Sequence, residues 1–324
     1  MTTLTKYEKL FKCYLTGFAP PKWSLNTNEL MKLCKVFYNN GDNLDDILRL
    51  VKEREPVNIS MDRMYDQNLL NTYFGYKTGY YGSCKASKND ITPPNFIVYT
   101  PTKVKSPDGL EYPKIHILNA IGLAFDSEEQ VDYKTYIKLS TDRHTREHNR
   151  NDYSSGDIEF IGDSPLHIKH CAIFYKRLFN LIFKAARKLN KHTIVMSLIG
   201  ANNFAMFWKG GPIHFTKTLW IPVFNEVVAH YPDLNIMFMG AAGHRTLKYK
   251  NLGLFPTLLE HPDIKHKLDD TLLINAWDCW SVPGNGNERD NSLDGYMGRF
   301  TQIGINGTSI TNKFLTLEDN YINV

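Results

Sequence analysis

The sequence predicts an α/β fold with a mainly parallel, mixed sheet covered by helices on both faces, which makes three layers. From about residue 95, apolar segments typical of buried strands alternate with amphipathic segments typical of helices. Four of the apolar segments end in glycine- and asparagine-rich sequence, at the edge where such sheets bind ligands. The composition, 42% hydrophobic and 22% charged, is that of an ordinary globular protein.

The predicted elements follow one another in a regular order. A helix is predicted over residues 167–190, where an apolar stripe ends in basic residues that suit the negative end of the helix dipole. Further helices are predicted over 218–232 and 255–264. Strands are predicted at 96–99, at the start of 114–125, at the start of 192–205, in 234–243 and at 271–277.

The first 55 residues predict helices rather than strands. Segments 5–15, 28–40 and 45–55 place apolar residues three or four apart. Asn26 or Thr27 can cap the second of these helices, and Gly41 can stop it. We therefore expect an N-terminal helical extension over residues 1–60 and one α/β domain over residues 61–324.

Charge, cysteine content and hydropathy exclude several classes of protein. The net charge of +4 comes from interspersed basic and acidic residues, so no nucleic-acid partner is expected. The five cysteines form no C-x-x-C pair and predict reduced thiols. No apolar run of 18 residues and no secretory signal occur, so no membrane partner is expected. The expected location is the cytoplasm, or a host cytosol if the chain is a delivered effector.

Several motifs of known chemistry match only in part. His144, Glu147 and His148 have the spacing of an inverted zincin, but the surrounding sequence offers no apolar face to bury a metal, so no metal is predicted. Gly284 and Gly286 resemble a dinucleotide fingerprint whose third glycine is replaced by Arg289. A phosphate-binding P-loop and a G-x-S-x-G elbow are absent from the sequence. No cofactor is expected.

Small and amide-bearing residues at the ends of the predicted strands are the candidate ligand contacts. Small residues let backbone N–H groups approach phosphate oxygens, and the alternative for the segment after residue 199 is a tight strand-to-helix turn. The candidates are Asn119, Ala120, Gly200, Ala201, Asn202, Asn203, Phe204, Gly240 and Ala241.

A long polar segment after the last apolar strand carries three aspartates, Asp278, Asp290 and Asp294. Carboxylates in such a loop can hydrogen-bond ribose hydroxyls, hold a water as general base or bind Mg²⁺. Alternatively, they cap turns and a short helix. A surface loop rarely needs this length, which favours a functional role for at least two of them. The same segment adds further candidate ligand contacts, namely Trp280, Gly284, Asn285, Gly286 and Asn287.

These features together resemble the macrodomain superfamily, in particular its poly(ADP-ribose)-glycohydrolase-like branch. The stretch ILNAIG (117–122) is similar to the family's first ligand loop, and GANNF (200–204) to its diphosphate and distal-ribose loop. The final segment, WD…GNGN…D…SLDG, resembles a bacterial-effector group of macrodomain-like ADP-ribosylhydrolases. The resemblance covers roughly residues 95–300, and it implies that the three aspartates contact the ribose near the scissile bond.

The resemblance implies a hydrolase that removes ADP-ribose from a modified protein, with ubiquitin or another host protein as the partner by analogy. The glutamate pair of the true glycohydrolases is absent, which leaves open a module that binds ADP-ribose or a related nucleotide without cleaving it. A metal-dependent nucleotide phosphoesterase built on the aspartates is the third hypothesis.

Overall fold

The computed structural model describes nine ranges of the chain: 24–25, 34–53, 96–101, 104–105, 114–138 without 127 and 129, 159–239, 249–252, 261–277 and 318–324. Together they form a mixed α/β structure around an eight-stranded, mostly parallel sheet. Buried aromatic and aliphatic side chains fill the space between this sheet and the helices.

The sheet has the strand order β10-β2-β3-β5-β9-β6-β7-β8. Only β3 among these eight strands runs against the others, because it pairs antiparallel with both β2 and β5. A separate antiparallel pair joins β1 (Ser24–Leu25) to β4 (Val104–Lys105). The strands of the large sheet are β2 (Lys35–Tyr38), β3 (Phe96–Tyr99), β5 (His116–Ile121), β6 (Thr193–Met196), β7 (Asn235–Phe238), β8 (Lys250–Asn251), β9 (Thr271–Trp277) and β10 (Tyr321–Asn323).

The centre of the sheet consists of three parallel strands, each of them a largely apolar run. β5 pairs with β9 from His116↔Leu272 to Ile121↔Trp277, and β9 pairs with β6 from Thr193↔Thr271 to Met196↔Ile274. All residues of β5 and β6 are buried. Parallel strands covered on both faces are expected to show such runs, because neither face meets water.

One face of the sheet is covered by a long helix, α3 (Pro165–Lys188), and by a helical stretch after β6. Ser164 caps α3 by accepting a hydrogen bond from the Leu166 N–H, and Arg187 and Lys188 lie in its last turn. The stretch after β6 comprises α4 (Gly211–Phe215), a π-turn (Thr216–Trp220) and α5 (Ile221–Val228). Phe179 of α3 packs edge-on against Trp220 and Phe224, which joins the two helices.

The opposite face is covered at one side by α1 (Leu44–Glu53). Ile47 of α1 is fully buried in a cluster with Val36, Phe96, Val98 and Ile121. A short helix, α2 (Val131–Lys138), follows β5 and contacts α3. Helices therefore lie on both faces, as the sequence predicted for the α/β class.

The structure confirms most of the predicted elements and corrects one. The strands at 96–99, 116–121, 193–196, 235–238 and 271–277 and the helix over 167–190 are present, as is the helix over 45–55. The helix predicted over 28–40 is wrong at Lys35–Tyr38, which forms β2. Its central residues, Val36 and Phe37, are both fully buried because the two faces of the sheet are both covered, so the 3–4 spacing does not mark a helix there.

Residues 34–53 therefore contribute a strand of the sheet, β2, and a helix that packs against it, α1, although they lie in the range predicted as a helical extension. The segment 5–15 and most of 255–264 lie outside the described residues. Of the helices that the structure describes, none is both long enough and apolar enough to cross a bilayer.

Candidate functional site

The predicted site residues that follow β6, Gly200–Phe204, lie at the carboxyl-terminal edge of the sheet. The neighbouring strands β5, β9, β6 and β7 are all parallel, so their last residues end at this edge. Open α/β sheets bind ligands in the crevice outside that edge. The candidate site is therefore built from the segments 122–126 after β5 and 197–205 after β6.

Two glycines bring these segments into direct backbone contact. A Cβ atom built on Gly122 would lie 2.5 Å from the Cα and N atoms of Gly200. Gly200 has a φ of +71°, and a Cβ there would lie 2.2 Å from the Tyr175 hydroxyl. Real Cβ atoms do not approach within 3.0 Å, so neither position accepts a side chain without movement of its neighbours.

The two helices on one face of the sheet hold this contact in place. Tyr175 of α3 is fully buried, and its hydroxyl accepts a hydrogen bond of 3.3 Å from the Leu123 N–H. Burial raises the pKa of that hydroxyl well above its usual value, so the group stays neutral. Trp220, from the π-turn, donates its indole N–H to the Ile199 carbonyl at 3.0 Å. Each helix thus fixes one of the two segments.

Backbone hydrogen bonds join the segment after β5 to the residues that follow the second glycine. The Phe125 N–H donates to the Phe204 carbonyl at 2.7 Å, and the Phe207 N–H donates to the Phe125 carbonyl at 2.9 Å. Ile161, which precedes α3, pairs in turn with Phe207 and Lys209. Main-chain bonds therefore fix the geometry of this edge.

The predicted ligand loop, Gly200–Phe204, is a tight turn from β6 into a 3₁₀ helix (Asn202–Ala205). Gly200 and Ala201 are buried, whereas Asn202 and Asn203 are exposed. Asn202 has a φ of +60°, a left-handed conformation that asparagine tolerates better than most residues. The turn places two amide side chains at the exposed tip of a rigid segment.

Asn119 and Ala120 lie inside the sheet. Both side chains are fully buried in β5. The Asn119 amide nitrogen donates to the Val98 carbonyl and to Thr100 Oγ1, each at 3.1 Å, and its oxygen accepts from Asn275 Nδ2 at 2.8 Å. These bonds join β5 to β9, to β3 and to Thr100, which follows β3. That Asn119 and Ala120 contact a ligand remains a prediction.

The remaining predicted site residues lie outside the described residues. β9 lies between β5 and β6, and its last residue, Trp277, pairs with Ile121 in the register of the sheet. The segment predicted to carry the chemistry begins with the next residue of the chain. The undescribed candidates are Gly240, Ala241, Asp278, Trp280, Gly284, Asn285, Gly286, Asn287, Asp290 and Asp294.

Asp126 is a carboxylate of this edge that the sequence reasoning did not select. It follows Phe125 and is partly buried, and its Oδ1 accepts a hydrogen bond of 3.2 Å from Gln130 Nε2. Burial raises the pKa of the carboxyl group, and the hydrogen bonds from its own backbone N–H and from Gln130 oppose that shift in part. The only sequence signal was an acidic residue just after a strand and its glycine segment.

Asp132, in the first turn of α2, supports the same segment. Its side chain is completely buried, and its Oδ2 accepts a hydrogen bond of 2.9 Å from the Ala124 N–H. A carboxylate beside the N-terminus of a helix is stabilised by the positive end of the helix dipole. Asp132 therefore fixes the position of the backbone between Gly122 and Asp126 through its bond to Ala124.

A second polar cluster lies at the opposite, amino-terminal edge of the sheet. His116 Nδ1 is 2.6 Å from the Tyr99 hydroxyl, and its Nε2 is 3.1 Å from Lys191 Nζ. Because a lysine ammonium only donates hydrogen bonds, Nε2 accepts and Nδ1 carries the proton that is donated to Tyr99. Burial, with a smaller effect from the Lys191 cation, lowers the pKa of His116 to about 4.

Within the described ranges, His, Cys, Asp and Glu side chains do not gather into any group of three that could hold a metal ion. His144 and His148 fall outside those ranges. Cys34 and Cys171, two of the five cysteines, are buried free thiols.

No model of a known protein family and no curated protein matches the chain.

Proposed function

We propose that this chain is a macrodomain-like hydrolase that removes ADP-ribose from a modified protein. The direct contact of Gly122 with Gly200 at the carboxyl edge of the sheet is the observation that carries the proposal. A diphosphate is a bulky anion that backbone N–H groups can hold only where side chains do not stand in the way. The contact of Gly122 with Gly200 lets the two segments lie backbone to backbone, so that N–H groups from both can serve one ligand at this edge.

In this proposal the turn Gly200–Phe204 binds the diphosphate and the adjoining ribose. Gly200 and Ala201 bring only small side chains to this turn, while the exposed amides of Asn202 and Asn203 provide donors and acceptors for phosphate oxygens and hydroxyl groups. Gly240 and Ala241, which come soon after β7 in the sequence, would extend this surface. Main-chain bonds to Phe125 keep the turn preorganised, which reduces the entropy lost on binding.

The proposed chemistry lies with Asp278, Asp290 and Asp294. The strand that leads to them, β9, stands between the two strands whose glycine segments would hold the diphosphate. Cleavage of a glycosidic bond passes through a transition state in which the ribose carries positive charge, so a nearby carboxylate stabilises it. A second task for one of these carboxylates is to orient the attacking water.

The proposed partner is an ADP-ribosylated protein, with ubiquitin as one target to test by analogy. The buried free thiols of Cys34 and Cys171 support a reducing compartment such as a cytosol. Within the mixed α/β class, we propose the macrodomain fold, because the segments ILNAIG and GANNF resemble the ligand loops of that superfamily.

The first experiment measures the thermal unfolding of the protein with ADP-ribose, NAD, AMP and Mg²⁺ in separate samples. A ligand present at a hundredfold excess over its Kd stabilises the folded state by about 2.7 kcal/mol. We expect this shift with ADP-ribose and a smaller one with AMP, which lacks the second phosphate and the distal ribose. The absence of any shift with ADP-ribose would refute the proposal.

The second experiment compares the release of ADP-ribose by Asp278→Ala, Asp290→Ala and Asp294→Ala with that by Asp45→Ala, which changes an exposed residue of α1. At least one of the first three variants should lose a factor of about 10²–10⁴ in turnover while still binding ADP-ribose. Normal hydrolysis by all three would exclude this mechanism. Binding without hydrolysis by the unmodified protein would identify a binding module, and loss of activity in EDTA would identify a metal-dependent enzyme.

A further inference from the structure

Lys191 lies at the amino-terminal edge of the sheet, opposite to the edge that holds the candidate site. It follows α3, and its backbone N–H donates to the Ala186 carbonyl at 2.9 Å. Asn190, with a φ of +56°, turns the chain just before it. The residue is partly exposed. A lysine is thus fixed by its backbone at a surface position that the proposed hydrolase does not use.

Two acceptors hold the amino group of Lys191. Its Nζ lies 3.1 Å from His116 Nε2, and it also donates to the Asp269 carbonyl. His116 is buried, and its Nδ1 lies 2.6 Å from the Tyr99 hydroxyl, so Nε2 is the ring nitrogen that accepts. A neutral amine has two N–H bonds, and these two acceptors satisfy both of them. The lone pair then points away from both acceptors and is the part of the group that remains for an electrophile.

The environment of the amino group favours its neutral form. Burial lowers the pKa of Lys191, and the nearby Lys114 cation adds to this effect, whereas Asp269 and Asp270 oppose it. The opposition is limited because the Asp269 side chain is 78% exposed, so that water screens its charge. Asp270 is already paired with His192, whose Nδ1 lies 2.7 Å from its Oδ1. A larger fraction of Lys191 is therefore free amine than of an exposed lysine at the same pH.

We infer that Lys191 is a self-acylating lysine, whose amino group accepts an acyl group from an acyl phosphate or a thioester while His116 takes up the proton. The contact between Nζ and an imidazole nitrogen that carries no proton is the observation on which the inference depends. Lysines become nucleophiles where their surroundings favour the free amine and a base lies within hydrogen-bond distance. The inference concerns a second site and does not depend on the proposed function.

The reaction balances in atoms and electrons. The Lys191 nitrogen forms a bond to the carbonyl carbon of the donor, and the bond from that carbon to the phosphate oxygen or the thioester sulfur breaks. The bonding pair leaves with that oxygen or sulfur. The proton lost by the nitrogen passes to His116 Nε2 along the existing hydrogen bond and then through water to the leaving group. The products are an amide at Lys191 and free phosphate or thiol, and no oxidant or reductant is required.

Acylation of Lys191 also changes how the amino-terminal edge responds to acid. The pKa of His116 is lowered mainly by burial and then by the Lys191 cation, which acylation removes. Without that cation, the pKa of His116 in the folded protein lies closer to its ordinary value. The difference between the folded and the unfolded chain in proton binding is then smaller, so less stability is lost as the pH falls.

The experiment incubates the full chain with acetyl phosphate or, in a second arm, with acetyl-coenzyme A, and no other enzyme is added. Mass spectrometry of peptides follows the acetylated fraction of each lysine with time. Lys188, an exposed lysine in the last turn of α3, is the internal reference in every sample. Near neutral pH, we expect Lys191 to react at least about tenfold faster than Lys188 with one of the two donors. The faster donor identifies the source of the acyl group.

Two variants test the separate parts of the arrangement. His116→Gln keeps a donor for Tyr99 and an acceptor for Lys191, but glutamine does not take up a proton, so acetylation of Lys191 should slow by about tenfold or more. Asp269→Asn removes an exposed carboxylate that opposes the free amine and retains the backbone carbonyl that Lys191 contacts. It should accelerate the reaction by about two- to fivefold. Lys188 should react at an unchanged rate in both variants.

Acetylation of Lys191 no faster than that of Lys188 with both donors would overturn the inference. Equal rates for His116→Gln and the unmodified protein would overturn it as well, because the imidazole would then have no part in the reaction. A slower reaction in Asp269→Asn would show that the charges act in the opposite direction and would also contradict it. In chain acetylated at Lys191, urea unfolding should show a smaller loss of stability between about pH 6.5 and about pH 4 than in the unmodified protein.

Discussion

Asn275 donates a hydrogen bond of 2.8 Å to the side-chain oxygen of Asn119, and this bond joins the two central strands of the sheet inside the protein. Both side chains are fully buried. A buried amide is costly unless its polar atoms are bonded, so the pair is expected to specify how β5 and β9 align. The alignment matters because it fixes which residues of the two strands reach the carboxyl edge together.

Replacing Asn275 with Ala should therefore destabilise the protein by about 1–3 kcal/mol, since the Asn119 oxygen loses this donor inside the sheet. A double-mutant cycle with Asn119→Ala, measured by urea unfolding, should give a coupling energy of about 0.5–3 kcal/mol between the two residues. Strict additivity of the two single changes would contradict the interpretation that the bond contributes to stability.

Gly122 allows a sharper test of the candidate site, because its constraint is steric. A Cβ at this position would overlap the backbone of Gly200, which has no flexible end that could move aside. Gly122→Ala should lower the free energy of unfolding by about 1–3 kcal/mol, the usual cost of forcing an extra methyl group into packed surroundings. It should also weaken ADP-ribose binding, since the two segments are displaced from each other.

Gly41→Ala is the matched control for that change. Gly41 has a φ of +91°, but a Cβ there meets nothing within 4 Å. The loss should therefore reflect backbone strain alone, about 1 kcal/mol, with ADP-ribose binding unaltered. If Gly122→Ala binds ADP-ribose as tightly as Gly41→Ala does, the two glycine segments are not the ligand site. Thermal unfolding and calorimetry on the two variants provide both readings.

The sequence was sufficient to predict the elements whose pattern is set locally. Thr193–Met196 and Thr271–Trp277 are apolar runs between polar segments, and the stripe of α3 repeats over six turns. Lys35–Tyr38 was misassigned because its spacing also suits a helix, and only its pairing with β3 and β10 decides between the two. β10 is three residues long, and it is a strand because it pairs with β2, which lies far away in the chain.

The candidate site shows the same division between local and distant information. The glycine and asparagine residues after β6 were visible in the sequence, and the structure describes them at the expected edge of the sheet. The contact of Gly122 with Gly200 joins residues 78 positions apart, so no local pattern reveals it. The backbone bonds of Phe125 likewise join it to Phe204 and Phe207, which lie beyond α3 in the sequence.

Ser164 and Ser197 offer a paired prediction about stability, because one hydroxyl is bonded and the other is not. Ser164 Oγ accepts the Leu166 N–H at 3.1 Å and caps α3. Ser197 Oγ, just beyond β6, is buried and has no hydrogen-bond partner among the residues that the structure describes. Ser164→Ala should cost about 1 kcal/mol of unfolding free energy, as the loss of an N-cap usually does.

Ser197→Ala should instead change stability by less than about 0.5 kcal/mol, or stabilise the fold, because it removes an unbonded polar atom. Chemical denaturation of the two variants under the same conditions gives the comparison. An equal loss for both would mean that the Ser197 hydroxyl has a bonding partner in solution, such as an ordered water.

His116 should make the protein sensitive to acid. Its pKa is lowered to about 4 in the folded protein, mainly by burial and then by the Lys191 cation, from an ordinary value of 6.5. Between these two values the unfolded chain binds the proton more readily, so the free energy of unfolding falls as the pH drops from about 6.5 to about 4. The stabilisation is complete above that range. We expect a loss of about 2 kcal/mol at pH 4 relative to pH 7 from this residue, once solvent screening is allowed for.

His116→Gln should remove that part of the pH dependence, because glutamine supplies a donor for Tyr99 and an acceptor for Lys191 but does not titrate in this range. His230→Gln, a change at an exposed position after α5, should leave the pH dependence as it is. Urea unfolding at half-unit steps between pH 4 and pH 8 measures the slope for each protein. If His116→Gln and the unmodified protein lose stability in parallel over that range, the buried histidine is not the group that titrates.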